Sequence, residues 1–428
     1  MRIIFLKKKS ISYVDVLCIR VINMYERICD SNTKNSIRAI ENNVCNRCYS
    51  RNILKDVSGI DYCLECYQYF EITSENFLVR TKRVTEKIDN ILEMNFKLSV
   101  DQIKGSNFLV NSYLKRKNAF LQAVCGAGKT EMCLALIQRV LNENKQLAFV
   151  IPRVEIIKQV SRRFKDYFPN TTISNLYNGV TLDQKANMII TTPQQLIKFY
   201  QEFDLVIIDE FDAYPLINNS FLERLIDKSK KNNAMTVYMS ATITDKCINL
   251  IKTKKLEYHT ISRRFHQKDL AIPKFIKNNN FFDKKILYLI KNYLNQNKQV
   301  IIYVASIAKG EYLYNQLSNI GIKTDLISSK TTYKLSIINS FTNSDLNILV
   351  STTILERGVT FKNISVIVLE ADSNIFNKSS LIQIAGRVGR IGDEGEVIFV
   401  GKYKSEAMIK AKKAIINFNR GKNEMSFM

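Results

Sequence analysis

The chain has 428 residues, 46% of them hydrophobic, with 14 glycines and 5 prolines; this is apolar material for two ordinary cores and a small extra module, and too much for one. Lys and Arg number 63 against 40 Asp and Glu, a formal charge of +23, which suits a polyanionic partner held through its phosphates, although the abundance of Lys, Asn, Ile, Phe and Tyr is also what drift in an AT-rich genome produces. No stretch approaches the roughly 18 uncharged apolar residues that span a bilayer, and Lys7, Lys8 and Lys9 lead into a segment broken by Asp15, Arg20, Glu26 and Arg27, which is not the pattern of a signal peptide.

Residues 1–40 mix apolar and charged side chains without a period and suggest no role. The stretch 41–75 is different in kind. Cys45-Asn46-Arg47-Cys48 and Cys63-Leu64-Glu65-Cys66 form two knuckles 14 residues apart. Two such turns place four thiolates tetrahedrally and close the site to water, which predicts structural Zn²⁺ bound by Cys45, Cys48, Cys63 and Cys66 and argues against a catalytic metal. Two disulfides or a redox dithiol are the competing readings. The other five cysteines, Cys18, Cys29, Cys125, Cys133 and Cys247, are scattered, unlike the dense framework of a secreted domain, so a reducing, cytoplasmic compartment is expected. Arg47, Arg51, Tyr49, Tyr62, Tyr67 and Tyr69 offer charge and stacking surface to a nucleic acid, or serve as packing around a small zinc core.

From about residue 80 short β-rich apolar runs alternate with amphipathic helical stretches, the pattern of parallel sheets covered on both faces in an α/β fold. Runs 119–124, 147–151, 188–191, 205–208 and 236–239 predict one sheet, within a unit spanning 80–255. Runs 300–304, 325–327, 348–351, 366–369 and 396–400 predict a second, within 286–428. The basic, poorly periodic segment 256–285, with His259, His266 and Pro273, reads as a linker. No fixed short repeat is present.

The first run leads into Cys125-Gly126-Ala127-Gly128-Lys129-Thr130 and then a helical stretch. A loop that wraps phosphates needs glycine where a Cβ would collide, here Gly126 and Gly128, and the following helix adds its dipole. Lys129 reaches the β and γ phosphates of ATP and Thr130 ligates Mg²⁺. The strict eight-residue pattern has glycine where this chain has Ala123. The run 203–208 ends in Asp209-Glu210-Phe211-Asp212: Asp209 is placed to hold Mg²⁺ through water and Glu210 to deprotonate the attacking water. Ser240-Ala241-Thr242 follows the next strand and could relay the nucleotide state. Near the end, Gln383-Ile384-Ala385-Gly386-Arg387-Val388-Gly389-Arg390 places two arginines three apart, on one face if helical, to point at a γ-phosphate across a cleft.

In order from Gln102 to Arg390, these motifs resemble a superfamily 2 helicase core: two RecA-like parallel-sheet lobes, preceded here by a small zinc-binding module. More narrowly, the four-cysteine module, the run from Ala123 to Glu131, Pro152-Arg153, Asp209 to Pro215 and Thr352 to Phe361 resemble the ComFA family of late-competence DNA translocases, with Phe211 and Tyr214 at the two places where that family's acidic box typically has Val and Phe. Arg264-Phe265-His266 is similar to that family's interlobe stretch. The resemblance implies an ATPase that pulls single-stranded DNA inward on the cytoplasmic side of a membrane uptake channel, alongside other competence proteins. It implies that Gln102 contacts adenine, that Gln383, Arg387 and Arg390 complete the ATP site with Gly358 beside the nucleotide, and that Pro152, Arg153, Thr192, Thr352 and Thr353 track the DNA backbone. A general DNA or RNA helicase of repair or replication restart shares every catalytic residue. A zinc-containing nucleic-acid scaffold with an idle ATPase is the other reading, and intact Lys129, Glu210 and Arg390 argue against it.

Overall fold

The computed structural model describes residues 26–29, 36–69, 71–81, 83, 89, 91–352, 361–389 and 395–421. Beyond residue 100 the chain is carried by two all-parallel sheets. The first has seven strands in the order Ile173–Leu176, Met188–Thr191, Leu147–Val150, Phe203–Ile208, Lys230–Ser240, Ala119–Ala123, Glu257–Ile261. The strands Ala119–Ala123, Leu147–Val150 and Met188–Thr191 are buried at every position, because helices cover both faces, and this is why they read as unbroken apolar runs. The second sheet has six strands in the order Lys274–Lys277, Val397–Gly401, Ile364–Val368, Gln299–Tyr303, Ile348–Ser351, Thr324–Ile327.

Three strands had no apolar run to announce them, and all three are sheet edges. Ile173–Leu176 buries only alternate residues. Glu257–Ile261 closes the first sheet and Lys274–Lys277 opens the second, so the segment 256–285 is not wholly a linker: it contains two strands, and 262–273 joins the sheets. An edge strand has one neighbour and partial cover, so polar residues such as Glu257, Lys274 and Lys277 cost little there and hide the pattern.

The cysteine module is built from two hairpins, Ile40–Glu41 with Val44–Cys45 and Ile53–Lys55 with Asp61–Cys63, beside a three-stranded antiparallel sheet of Glu26–Cys29, Phe77–Arg80 and Ser36–Arg38. Polar bonds fasten it to the first lobe. Lys228 Nζ, fully buried, donates to Glu26 Oε1 at 2.6 Å and to the Ile197 carbonyl at 3.0 Å. Arg224 donates to the Cys48 carbonyl and pairs with Glu65, and the Tyr69 ring stacks on Phe221 at 5.4 Å. The four cysteines share one apolar cluster with Leu222, Leu225 and Ile226 of the helix Ser220–Ser229. Module and lobe therefore share a continuous core. Among the described residues no helix is long and apolar enough to cross a membrane.

Candidate functional site

Because every strand of the first sheet points the same way, the segments that leave their C-terminal ends gather along one edge, where open α/β sheets bind ligands. Residues 124–128 leave Ala119–Ala123, Asp209 to Asp212 leave Phe203–Ile208, and Ala241 and Thr242 leave Lys230–Ser240, the strand between those two. Gly126 and Gly128 have φ of +84° and +79°, left-handed conformations that side chains resist, and helix begins at Lys129. Gly128 is needed for space as well, since a Cβ there falls 2.1 Å from Gln102 Nε2. Lys129 Nζ donates to the Ala123 carbonyl at 3.2 Å, across the loop where the phosphate oxygens of a bound nucleotide would offer it a charged acceptor. Thr130 and Asp209 are buried at the same edge, and the Glu210 amide donates to Asp209 Oδ1 at 2.8 Å. Loop, lysine, hydroxyl and carboxylates together fit MgATP.

Gln102 lies in a capping box of the helix Val100–Leu114: its Oε1 accepts from the Ser99 amide at 2.9 Å while its backbone N–H donates to Ser99 Oγ at 3.3 Å. Its Nε2 donates to the Ala127 carbonyl at 3.0 Å. Gln102 thus braces the phosphate loop, and both ends of its amide are engaged by protein.

The second lobe meets this edge through the helix Lys378–Ala385, buried throughout 379–385. Gln383 Oε1 accepts from Cys125 Sγ at 3.1 Å. Asp212 Oδ2 accepts from Thr242 Oγ1 at 2.7 Å and from Ser379 Oγ at 2.5 Å, so one buried carboxylate joins the acidic box, the Ser-Ala-Thr segment and the second lobe. Sequence motifs flagged the first two partners; Ser379 had no local signal. The helix ends at Ala385 with Gly386 as its C-cap, and the chain turns through Gly389 at φ +67°. Arg387 lies in the turn after that helix and is 1% exposed, where Gly386 at the C-cap favours a turn over continued helix. Arg390, Thr353 and Gly358 lie outside the described residues.

Pro152 and Arg153 follow Leu147–Val150, Thr192 follows Met188–Thr191, and Thr352 follows Ile348–Ser351. On the first sheet four strand spacings separate Met188–Thr191 from Ala119–Ala123, so Thr192 is about 19 Å along the edge from the phosphate loop at roughly 4.8 Å per strand. Pro152, Arg153 and Thr192, expected to track a strand, thus lie along the same edge of the first sheet as the phosphate loop, whereas Thr352 leaves a strand of the second sheet.

In the module, the Sγ atoms of Cys45, Cys48, Cys63 and Cys66 all lie within 4.8 Å of one another and are buried. The closest pairs are 3.8 Å for Cys45 with Cys66 and 3.6 Å for Cys48 with Cys63, and the convergence of all four sulfurs favours one shared site over two separate disulfides. Hydrogen bonding inside the cluster pulls Cys63 down and pushes Cys66 up from the ordinary thiol range. Four soft donors converging on one point fit Zn²⁺. Arg47 is buried and Tyr69 packs on the first lobe, so packing explains these two, whereas Tyr67 remains exposed. Beside Arg47, burial and that guanidinium push Lys198 down to about 8.

A family model described as "Type III restriction enzyme, res subunit" matches residues 80–245, and one described as "Helicase conserved C-terminal domain" matches residues 284–392. Competence protein ComFA of Streptococcus pneumoniae is 33% identical over 391 residues, covering 88% of this chain and 90% of its own. Competence protein ComFA of Bacillus subtilis is 30% identical over 373 residues, covering 84% and 80%. Replication restart protein PriA of Rickettsia prowazekii is 26% identical over 271 residues, covering 56% of this chain and 41% of its own. Among solved structures, Dbp5 of S. cerevisiae bound to RNA and ADP BeF3 matches with a TM-score of 0.55 at 19% identity, covering 75% of this chain and 92% of that one, a likeness of fold.

Proposed function

Because this chain belongs to the ComFA family of competence proteins, and carries the helicase domains of superfamily 2, we propose that it is an ATP-driven motor that pulls single-stranded DNA inward during natural transformation, working at the cytoplasmic face of the uptake channel with other competence proteins. Lys129, Thr130 and Asp209 hold MgATP, and transfer of its γ-phosphoryl group to water, releasing ADP and phosphate, drives the cycle. Glu210 orients and deprotonates the attacking water, while Gln383 and Arg387, with Arg390, face the phosphates from the second lobe. Gln102 holds the loop against the helix Val100–Leu114. Pro152, Arg153, Thr192, Thr352 and Thr353 grip the strand backbone, and alternate lobe closure and opening moves it. Zn²⁺ on the four cysteines stabilises the module.

The observation that carries this reading is the direct bond between the phosphate loop and the second lobe, Cys125 to Gln383: whatever occupies the loop is felt by the segment that bears Arg387. The test is steady-state ATP hydrolysis without nucleic acid and with single-stranded DNA, duplex DNA or RNA, using Glu210→Gln as control. Stimulation confined to single-stranded DNA and abolished by the substitution supports the uptake motor. Preference for duplex or RNA points to a repair or restart helicase, and absence of hydrolysis to a zinc-bearing scaffold.

A further inference from the structure

Arg264 lies just beyond the edge strand Glu257–Ile261, on the segment that joins the lobes, and is 1% exposed. Its Nη1 donates to the carbonyls of Val388 at 2.8 Å and Gly389 at 2.7 Å, and its Nη2 donates to the Gly386 carbonyl at 3.2 Å. The carbonyls immediately before and after Arg387 are therefore both held by one guanidinium. On its other side the same side chain backs onto the phosphate loop: a Cβ on Gly126 would lie 3.9 Å from its Cγ and Cδ. The next residue, Phe265, donates its amide to the Gly126 carbonyl at 3.1 Å. The strand behind is tied in as well, with the Val124 amide bonded to the Ile261 carbonyl at 3.1 Å.

This is a costly way to fill space. Among the described residues the hydrogen bonds of Arg264 go to carbonyls alone, and its Nε is buried without a partner. Burying a cation without a carboxylate is unfavourable, and an apolar side chain of similar volume fills such a gap at lower cost. What the guanidinium supplies instead is a rigid planar fork that fixes several acceptors at once, which an ammonium cannot reproduce.

We infer that Arg264 is a positioning residue for ATP hydrolysis, holding the turn that bears Arg387 in register with the phosphate loop. Arg264 acts through Arg387, so the inference rests on the proposed role of that residue. Misplacing a reacting group by about 1 Å is enough to cost on the order of 100-fold in rate, so a loosened turn lowers kcat while nucleotide binding survives.

The test uses the full-length protein as Arg264→Lys, Arg387→Ala and the double variant, with DNA-stimulated ATPase, affinity for a fluorescent ATP analogue and thermal melting. Arg264→Lys keeps the charge and most of the volume. It is expected to lower kcat roughly 10- to 100-fold while the analogue's affinity and the KM for ATP move less than about threefold, as for an interaction made only in the transition state. In the Arg387→Ala background it adds less than about twofold, because the group it positions is gone. Independent, multiplying losses, or a loss confined to KM, overturn the inference and leave Arg264 a structural hinge residue. If Arg387→Ala itself leaves kcat unchanged, the failure lies in the proposed role of Arg387. Should Arg264→Lys not fold, Arg264→Gln is put through the same cycle.

Discussion

Gly386 shows how narrow the tolerance is where the lobes meet. A Cβ there would fall 2.8 Å from Cys125 Cβ and 3.1 Å from its Sγ, in a contact already closed by the bond from Cys125 to Gln383. Gly386→Ala is therefore expected to overpack the junction by about 1–3 kcal/mol, lowering the melting temperature and kcat together. Adding Cys125→Gly removes the clashing atom and restores part of the melting temperature. A Gly386→Ala protein that melts and turns over like the parent means the lobes do not close on this contact. Sequence flagged Gly386 only as part of the Arg387 motif; the reason for glycine is a neighbour 261 residues earlier in the chain, and no local pattern carries that.

Among elements, the cysteine module shows the largest gain from structure over sequence. Its four-cysteine cluster was legible because two short Cys-x-x-Cys turns are local features, whereas its attachment to the helix Ser220–Ser229 was not. Since the cysteines share an apolar cluster with that helix, Cys63→Ser is expected to remove zinc and to lower the melting temperature of the first lobe, because the binding free energy of a structural zinc is folding free energy. Zinc content and a melting curve check this, and a zinc-free protein with an unchanged curve would show that the module is only appended. Lys198 lies at the same junction with its pKa depressed to about 8 from 10.5. The folded protein binds fewer protons than the unfolded chain between these values, so stability rises with pH across that window, and below it the buried charge destabilises in full. Lys198→Met should therefore melt higher than the parent at pH 7, with the advantage shrinking as pH climbs past 8 towards 10. An advantage independent of pH points to packing as its cause.

At the scale of the molecule, a charge of +23 makes attraction to nucleic acid general, and what distinguishes the proposed track is where its residues lie. Arg153 is at the start of the helix Val154–Tyr167, at the edge where the parallel strands end. If it neutralises one phosphate of a single strand, Arg153→Ala should reduce the slope of log affinity against log salt by about 0.7, with a similar loss across sequences. An unchanged slope places the strand elsewhere. The same edge holds Lys129 and Asp209, and the buried Asp212 carboxylate joins Thr242 to Ser379 of the other lobe, a direct polar link between the acidic box and the second lobe.

By itself the sequence determined the chemistry that depends on neighbours in the chain: the four thiols, the glycine loop with Lys129 and Thr130, the carboxylates that end a buried strand, and the interior strands that read as apolar runs. These are local, because a tight turn or a buried strand restricts residue type within a few positions. Only the tertiary structure decided the edge strands, the turn that takes Arg387 off the helix, the bracing role of Gln102, and the contacts from Arg264 and Ser379. Those depend on partners that folding brings together from far along the chain, and a side chain that meets its acceptor across a lobe boundary leaves no period and no spacing for a sequence to display.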